Sequence, residues 1–101
     1  MSAASDVLHR LEDDLKSMEQ RKKPGEVVRV FYGGAFGVLA AFDIQPASHD
    51  SLRIVARDRE GRTHVIIAPV SQSSFMLSAV APVAGEPEQK VILGFAQPNP
   101  I

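Results

Sequence analysis

The stretch Glu26-Val27-Val28-Arg29-Val30-Phe31-Tyr32-Gly33-Gly34-Ala35-Phe36-Gly37-Val38-Leu39-Ala40-Ala41-Phe42 decides the fold class. β-Branched and aromatic residues suit a pleated, half-buried surface, and they fill both sides of a glycine pair. Paired glycines supply the positive φ angles that primed turns need, so Gly33-Gly34 predicts a tight hairpin between strands at Glu26–Tyr32 and Phe36–Phe42. Gly37 marks a place where the second strand bends sharply or admits another backbone.

Further apolar runs follow toward the C-terminus at intervals of about ten residues, at Leu52–Arg57, Thr63–Ala68, Phe75–Val80 and Val91–Phe95. Asp58-Arg59-Glu60-Gly61 reads as a second hairpin turn with Gly61 in the left-handed position, whereas Gln45–Ser51 and Ala84–Glu88 read as longer loops. Short hairpins make consecutive strands neighbours. The expectation is a mainly β, antiparallel meander of five or six strongly bent strands, too few for a sandwich and enough for a small barrel of the SH3 type.

Toward the N-terminus the periodicity changes. Val7, Leu8, Leu11, Leu15 and Met18 collect on one stripe of a helix whose other face is charged. Ser5 is the expected N-cap, Asp6 falls in the first turn, Arg21, Lys22 and Lys23 suit the negative end of the macrodipole, and Pro24-Gly25 stops the helix. The organisation expected is one domain over residues 1–101: an amphipathic helix at 5–23 able to cover one end of a barrel at 26–96, then a frayed, proline-containing tail at 97–101.

Composition narrows the function. Eleven basic and twelve acidic residues leave a net charge of -1, which is not the basic footprint of a general duplex-DNA binder. The absence of cysteine removes disulfides, zinc ribbons and thiol nucleophiles. His9, His49 and His64 share no metal-ligand spacing, and the consecutive carboxylates Glu12-Asp13-Asp14 point about 100° apart on a helix. Ser71, Ser73 and Ser74 lack a nucleophile-elbow context, and Gly33–Gly37 lacks a phosphate-loop pattern. The reading is therefore not an enzyme, with no metal and no cofactor. No signal peptide or apolar run of spanning length is present in this sequence, which gives a cytoplasmic protein without membrane association as the expectation.

One charged cluster is notable. Arg53, Arg57, Arg59 and Arg62 frame the third and fourth strands, with His64 close behind. Guanidinium forks hold phosphates in a bidentate manner, so this hairpin is the local candidate for an anionic ligand; interleaved with Asp58 and Glu60 it also reads as a solubilising edge.

The run Gly37-Val38-Leu39-Ala40-Ala41-Phe42-Asp43, preceded by Val28 and Val30, resembles the first motif of the Sm-like (LSm) family, small barrels that assemble into rings and often bind RNA. By that resemblance the G-x-L-x-x-F-D stretch forms the bent second strand, Phe42 is core, and Asp43 supports the nucleotide-binding loop. Pro46-Ala47 stand where the family motif carries Met-Asn, and residues 69–74 are neutral where its second motif carries Arg or Lys.

Two readings follow. In one, a homo-oligomeric ring binds single-stranded RNA or a nucleotide through Asp43, Tyr32, Arg57, Arg59 and Arg62, with Phe36 more suited to the core. In the other, the chain is a protein-assembly module working through strand edges or the helix. The uncharged segments Phe75–Pro82 and Val91–Phe95 support self-association in either case.

Overall fold

In the computed structural model, which describes residues 2–82 and 90–94, helix α1 runs from Ala3 to Arg21. Its N-cap is Ser2 rather than Ser5, whose amide donates to Ser2 Oγ at 3.0 Å. The earlier start has a packing reason: Ala4 is fully buried, so the first turn already belongs to the core. Ala4, Leu8 and Leu11 form the buried stripe, with Val7 and Leu15 packed against it. The Lys22 amide closes the helix on the Met18 carbonyl at 2.9 Å. No helix among the described residues is long and apolar enough to cross a membrane.

Six strands follow: β1 (Val27–Gly34), β2 (Gly37–Pro46), β3 (Ser51–Arg57), β4 (Thr63–Pro69), β5 (Ser74–Val80) and β6 (Ile92–Leu93). They form one sheet in the order β4-β3-β2-β1-β5. All these neighbours are antiparallel, and β6 adds a short parallel pairing to β2. The simple meander ends at β4. A 3-10 turn at Val70–Gln72 carries the chain to the far side of β1, where β5 pairs along its length from Val27↔Val80 to Gly33↔Ser74.

The expected barrel is not closed. β4 and β5 lie at opposite edges of the sheet and do not pair with each other. The ladder carries one local irregularity. β2 pairs with β3 as Ala41↔Ala56 and then Asp43↔Val55, so Phe42 is an extra residue, a β-bulge. Before the bulge β2 pairs with β1; beyond it, Asp43 and Ile44 have β6 as a neighbour. The bulge also resets the pleat: Ala41 and Ile44, three residues apart, are both buried. The core lies between the sheet and α1, and Tyr32, Leu8, Ile44, Leu52, Ile54 and Val30 are its largest fully enclosed side chains.

The first hairpin also differs from expectation. Gly33 and Gly34 are the end of β1, the two-residue turn is Ala35-Phe36, and the positive φ (+93°) belongs to Gly37. Gly34 is required for space, since a Cβ there would overlap the Tyr32 ring. Phe36, expected in the core, is 73% exposed at the tip. The expected second hairpin turn agrees with the structure, with Gly61 at φ +81°. The loop expected at Ala84–Glu88, the strand end at Phe95 and the tail at 97–101 lie outside the described residues.

Candidate functional site: an arginine hairpin and two sheet edges

The β3–β4 hairpin turns on Asp58. Its Oδ1 accepts the amides of Glu60 and Arg62, each at 2.9 Å, while Oδ2 faces Arg62 Nε at 3.2 Å and His64 Nε2 at 2.9 Å. The Asp58 amide in turn donates to the Arg62 carbonyl at 3.0 Å. The partner His64, joined by these amides and by Arg62, holds the Asp58 carboxyl far below the ordinary carboxylate range. This carboxylate is a structural clasp, with both oxygens occupied.

The clasp decides what the arginines can do. Arg62 is committed, its guanidinium pairing with both Asp58 and Glu60. Arg57 lies at the end of β3 with its guanidinium 5.1 Å above the Phe42 ring, so the bulge residue serves as its platform. Arg59 is exposed at the turn, and Arg53 lies on β3 opposite Gln45 and Ile67.

The remaining candidates are elsewhere. Asp43 is half-buried on β2 beyond the bulge and accepts a hydrogen bond from Gln45 Nε2 at 3.1 Å. Tyr32 is 2% exposed and packs its ring at 5.7 Å from that of Phe75, inside the core, so neither ring face is open to a stacking base. Of the five residues expected to meet nucleic acid, Arg57 and Arg59 share one end of a hairpin with Arg62, while Asp43 and Tyr32 are set apart from them on β2 and β1. His64, which the sequence places close behind the arginines, is brought onto Asp58, a contact the sequence did not show. It comes six residues after Asp58, and only the turn geometry brings the two together.

The sheet edges are the other notable feature. Among the described residues, β4 pairs only with β3 and β5 only with β1, leaving one side of each strand without a backbone partner. Val65 and Ile67 on β4 are 57% and 60% exposed, and Met76 on β5 is 56% exposed. Phe36 and Val38, at the β1–β2 tip, are also exposed. β5 contains no charged residue, and β4 none beyond His64 at its start. Compared with known protein families, curated proteins and solved structures, the chain matches none of them.

Proposed function

We propose that this chain is a non-enzymatic assembly module that forms a homo-oligomeric ring by pairing the β4 edge of one copy with the β5 edge of the next. The observation that carries this reading is the pair of edges that have no backbone partner among the described residues. Both strands are seven residues long, stand at opposite edges of one sheet, and display apolar side chains. An open edge is a template for another strand, and soluble proteins ordinarily blunt it with charge, proline or a bulge. Here Pro69, at the end of β4, is the one such device on either strand. Two different edges joined head to tail make a heterologous contact, which closes into a ring when the rotation per subunit divides a full turn. The resemblance of Gly37–Asp43 to the Sm-like motif agrees with this mode of assembly.

The test is absolute mass by light scattering on the purified protein, beside Ile67→Lys and Met76→Lys. A stable multiple of the subunit mass that falls toward the monomer when either edge is charged supports the reading. A wild-type monomer at tens of micromolar overturns it. Single-stranded RNA would meet Arg57 and Arg59 but no open ring at Tyr32. The ratio of absorbance at 260 and 280 nm on the same peak reports whether it is carried.

A further inference from the structure

The backbone phase of the sheet can be followed from one edge to the other. The Asp58 amide donates to the Arg62 carbonyl at 3.0 Å and the Val70 amide to the Asp50 carbonyl at 2.8 Å, one bonded pair beyond each end of the β3–β4 ladder. Antiparallel pairs alternate between bonded and non-bonded positions, so His64, Ile66 and Ala68 direct their backbone groups to β3, and Thr63, Val65 and Ile67 direct theirs to the open side. The Ala47 amide, donating to the Ser51 carbonyl at 2.9 Å, carries the same phase into β2. Followed through the registers of β2 with β1 and β1 with β5, it leaves Phe75, Leu77 and Ala79 as the residues with outward backbone groups on β5.

The two outward sets lie on opposite faces of the sheet. Val65 and Ile67 are on the face away from α1 and more than half exposed, whereas Ile66 and Ala68, which alternate with them, are buried. Phe75 and Leu77 are on the α1 face, packed against the core. Beside them the described residues leave a groove of about 250 Å3 between α1 and β5, lined by Val7, Leu11, Val70, Phe75 and Leu77.

Directly opposed residues of an antiparallel pair share a face. When β4 of one copy joins β5 of another in the antiparallel sense, only the outward sets can bond, which brings Val65 and Ile67 beside Phe75 and Leu77 on the side of the neighbour's α1. A parallel pairing would set them beside Met76 instead, on the neighbour's solvent face.

We infer that the α1–β5 groove is the seat of Val65 and Ile67 of a second copy, so that the edge pairing proposed above, on which this inference rests, is antiparallel. Burial of these two side chains is what the antiparallel sense gains over the parallel one. Charge agrees with it. Residues 3–15 carry four carboxylates and one arginine, and residues 51–69 carry four arginines and two carboxylates. Asp14, exposed beside the groove, has no ion-pair partner among the described residues, and neither has Arg53, which is paired with Ile67 across β3 and β4.

Because the chain has no cysteine, introduced thiols report proximity without background. The test compares Val65→Cys/Leu77→Cys with Val65→Cys/Met76→Cys, each treated as the full chain with a short bifunctional thiol reagent and read by mass under denaturing conditions. Leu77 and Met76 are neighbours in sequence on opposite faces of β5. The expected result is linkage between copies through Leu77, at least about tenfold more than through Met76. Ala79→Cys, on the same face as Leu77, takes its place should that variant fail to fold, which circular dichroism reports. Ile67→Ala should also weaken association about tenfold, the scale of withdrawing a buried aliphatic side chain. Linkage mainly through Met76, or association unchanged in Ile67→Ala, overturns the inference and leaves the edge pairing standing. An oligomer linked through neither position, or a wild-type monomer, overturns both.

Discussion

The two tight turns of the sheet are built in opposite ways. The β3–β4 turn is made of charge: one carboxylate gathers two amides, an arginine and a histidine, and its neighbour Glu60 takes the other arm of the same arginine. The β1–β2 turn has no charged residue; Gly34 and Gly37 bracket Ala35-Phe36, and the phenyl ring stands in solvent. The first turn satisfies itself and leaves little for a partner. The second is held by backbone geometry and by the space that Gly34 leaves for Tyr32, which frees its side chains to be displayed. Polar groups at a turn need not be functional, and apolar ones need not be structural.

Substitutions can break this contrast in graded steps. The largest effect is expected at Gly34→Val. A branched side chain where even a Cβ overlaps the Tyr32 ring forces the core apart, at a cost of about 3 kcal/mol or more, read as a lowered urea midpoint. Gly34→Ala should fall between this variant and wild type.

A smaller effect is expected from Asp58→Asn, and it should depend on pH. Because the folded state holds the Asp58 carboxyl below its ordinary value, its contribution is fully present above the unfolded range near pH 4. That contribution is lost as pH falls further toward the folded value. Wild-type stability should therefore decline more steeply than that of Asp58→Asn below about pH 4, and the two should differ by a constant amount at neutral pH. Parallel acid limbs in thermal unfolding would show that the charge on Asp58 adds nothing to stability.

The smallest effect belongs to Phe36→Ser. With most of the ring already in water, unfolding free energy should stay within about 0.5 kcal/mol of wild type. If the tip belongs to the assembly surface, the oligomer should loosen while the subunit keeps its stability. A large loss of subunit stability would mean that the ring is packed in a way its exposure denies.

Local features were legible in the sequence for local reasons. The helix was readable because Leu8, Leu11 and Leu15 repeat at its period, and the Asp58–Gly61 turn because glycine marks a positive φ. The first hairpin was placed correctly but its turn was shifted, since two glycines three apart, Gly34 and Gly37, fit the backbone as well as the adjacent pair does. The bulge at Phe42 was not legible: apolar residues run through Val38–Phe42, so nothing marks where the alternation changes phase. Nor was the open sheet, because the choice of β1 as the seat of β5 depends on contacts across about half of the chain. In sequence Arg62 read either as part of an anion-binding cluster or as a solubilising edge beside Asp58 and Glu60; its commitment to Asp58 appears only when residues four apart face each other across a turn.

The return of β5 to β1 also has a temporal side. The β1–β2 and β3–β4 hairpins close over short turns, whereas Tyr32 and Phe75 must find one another across three intervening strands and the loops that join them. The loop entropy of that search is incurred before the pairing returns any energy, so it sets the pace of folding more than the depth of the native state. Until β5 arrives, the side of β1 that it will occupy is an open seat, and the β5 of any nearby chain has the same shape as the chain's own. Crowded refolding should thus yield exchanged dimers that dilute refolding does not, distinguishable by mass and slow to revert because each must give up seven residues of paired strand.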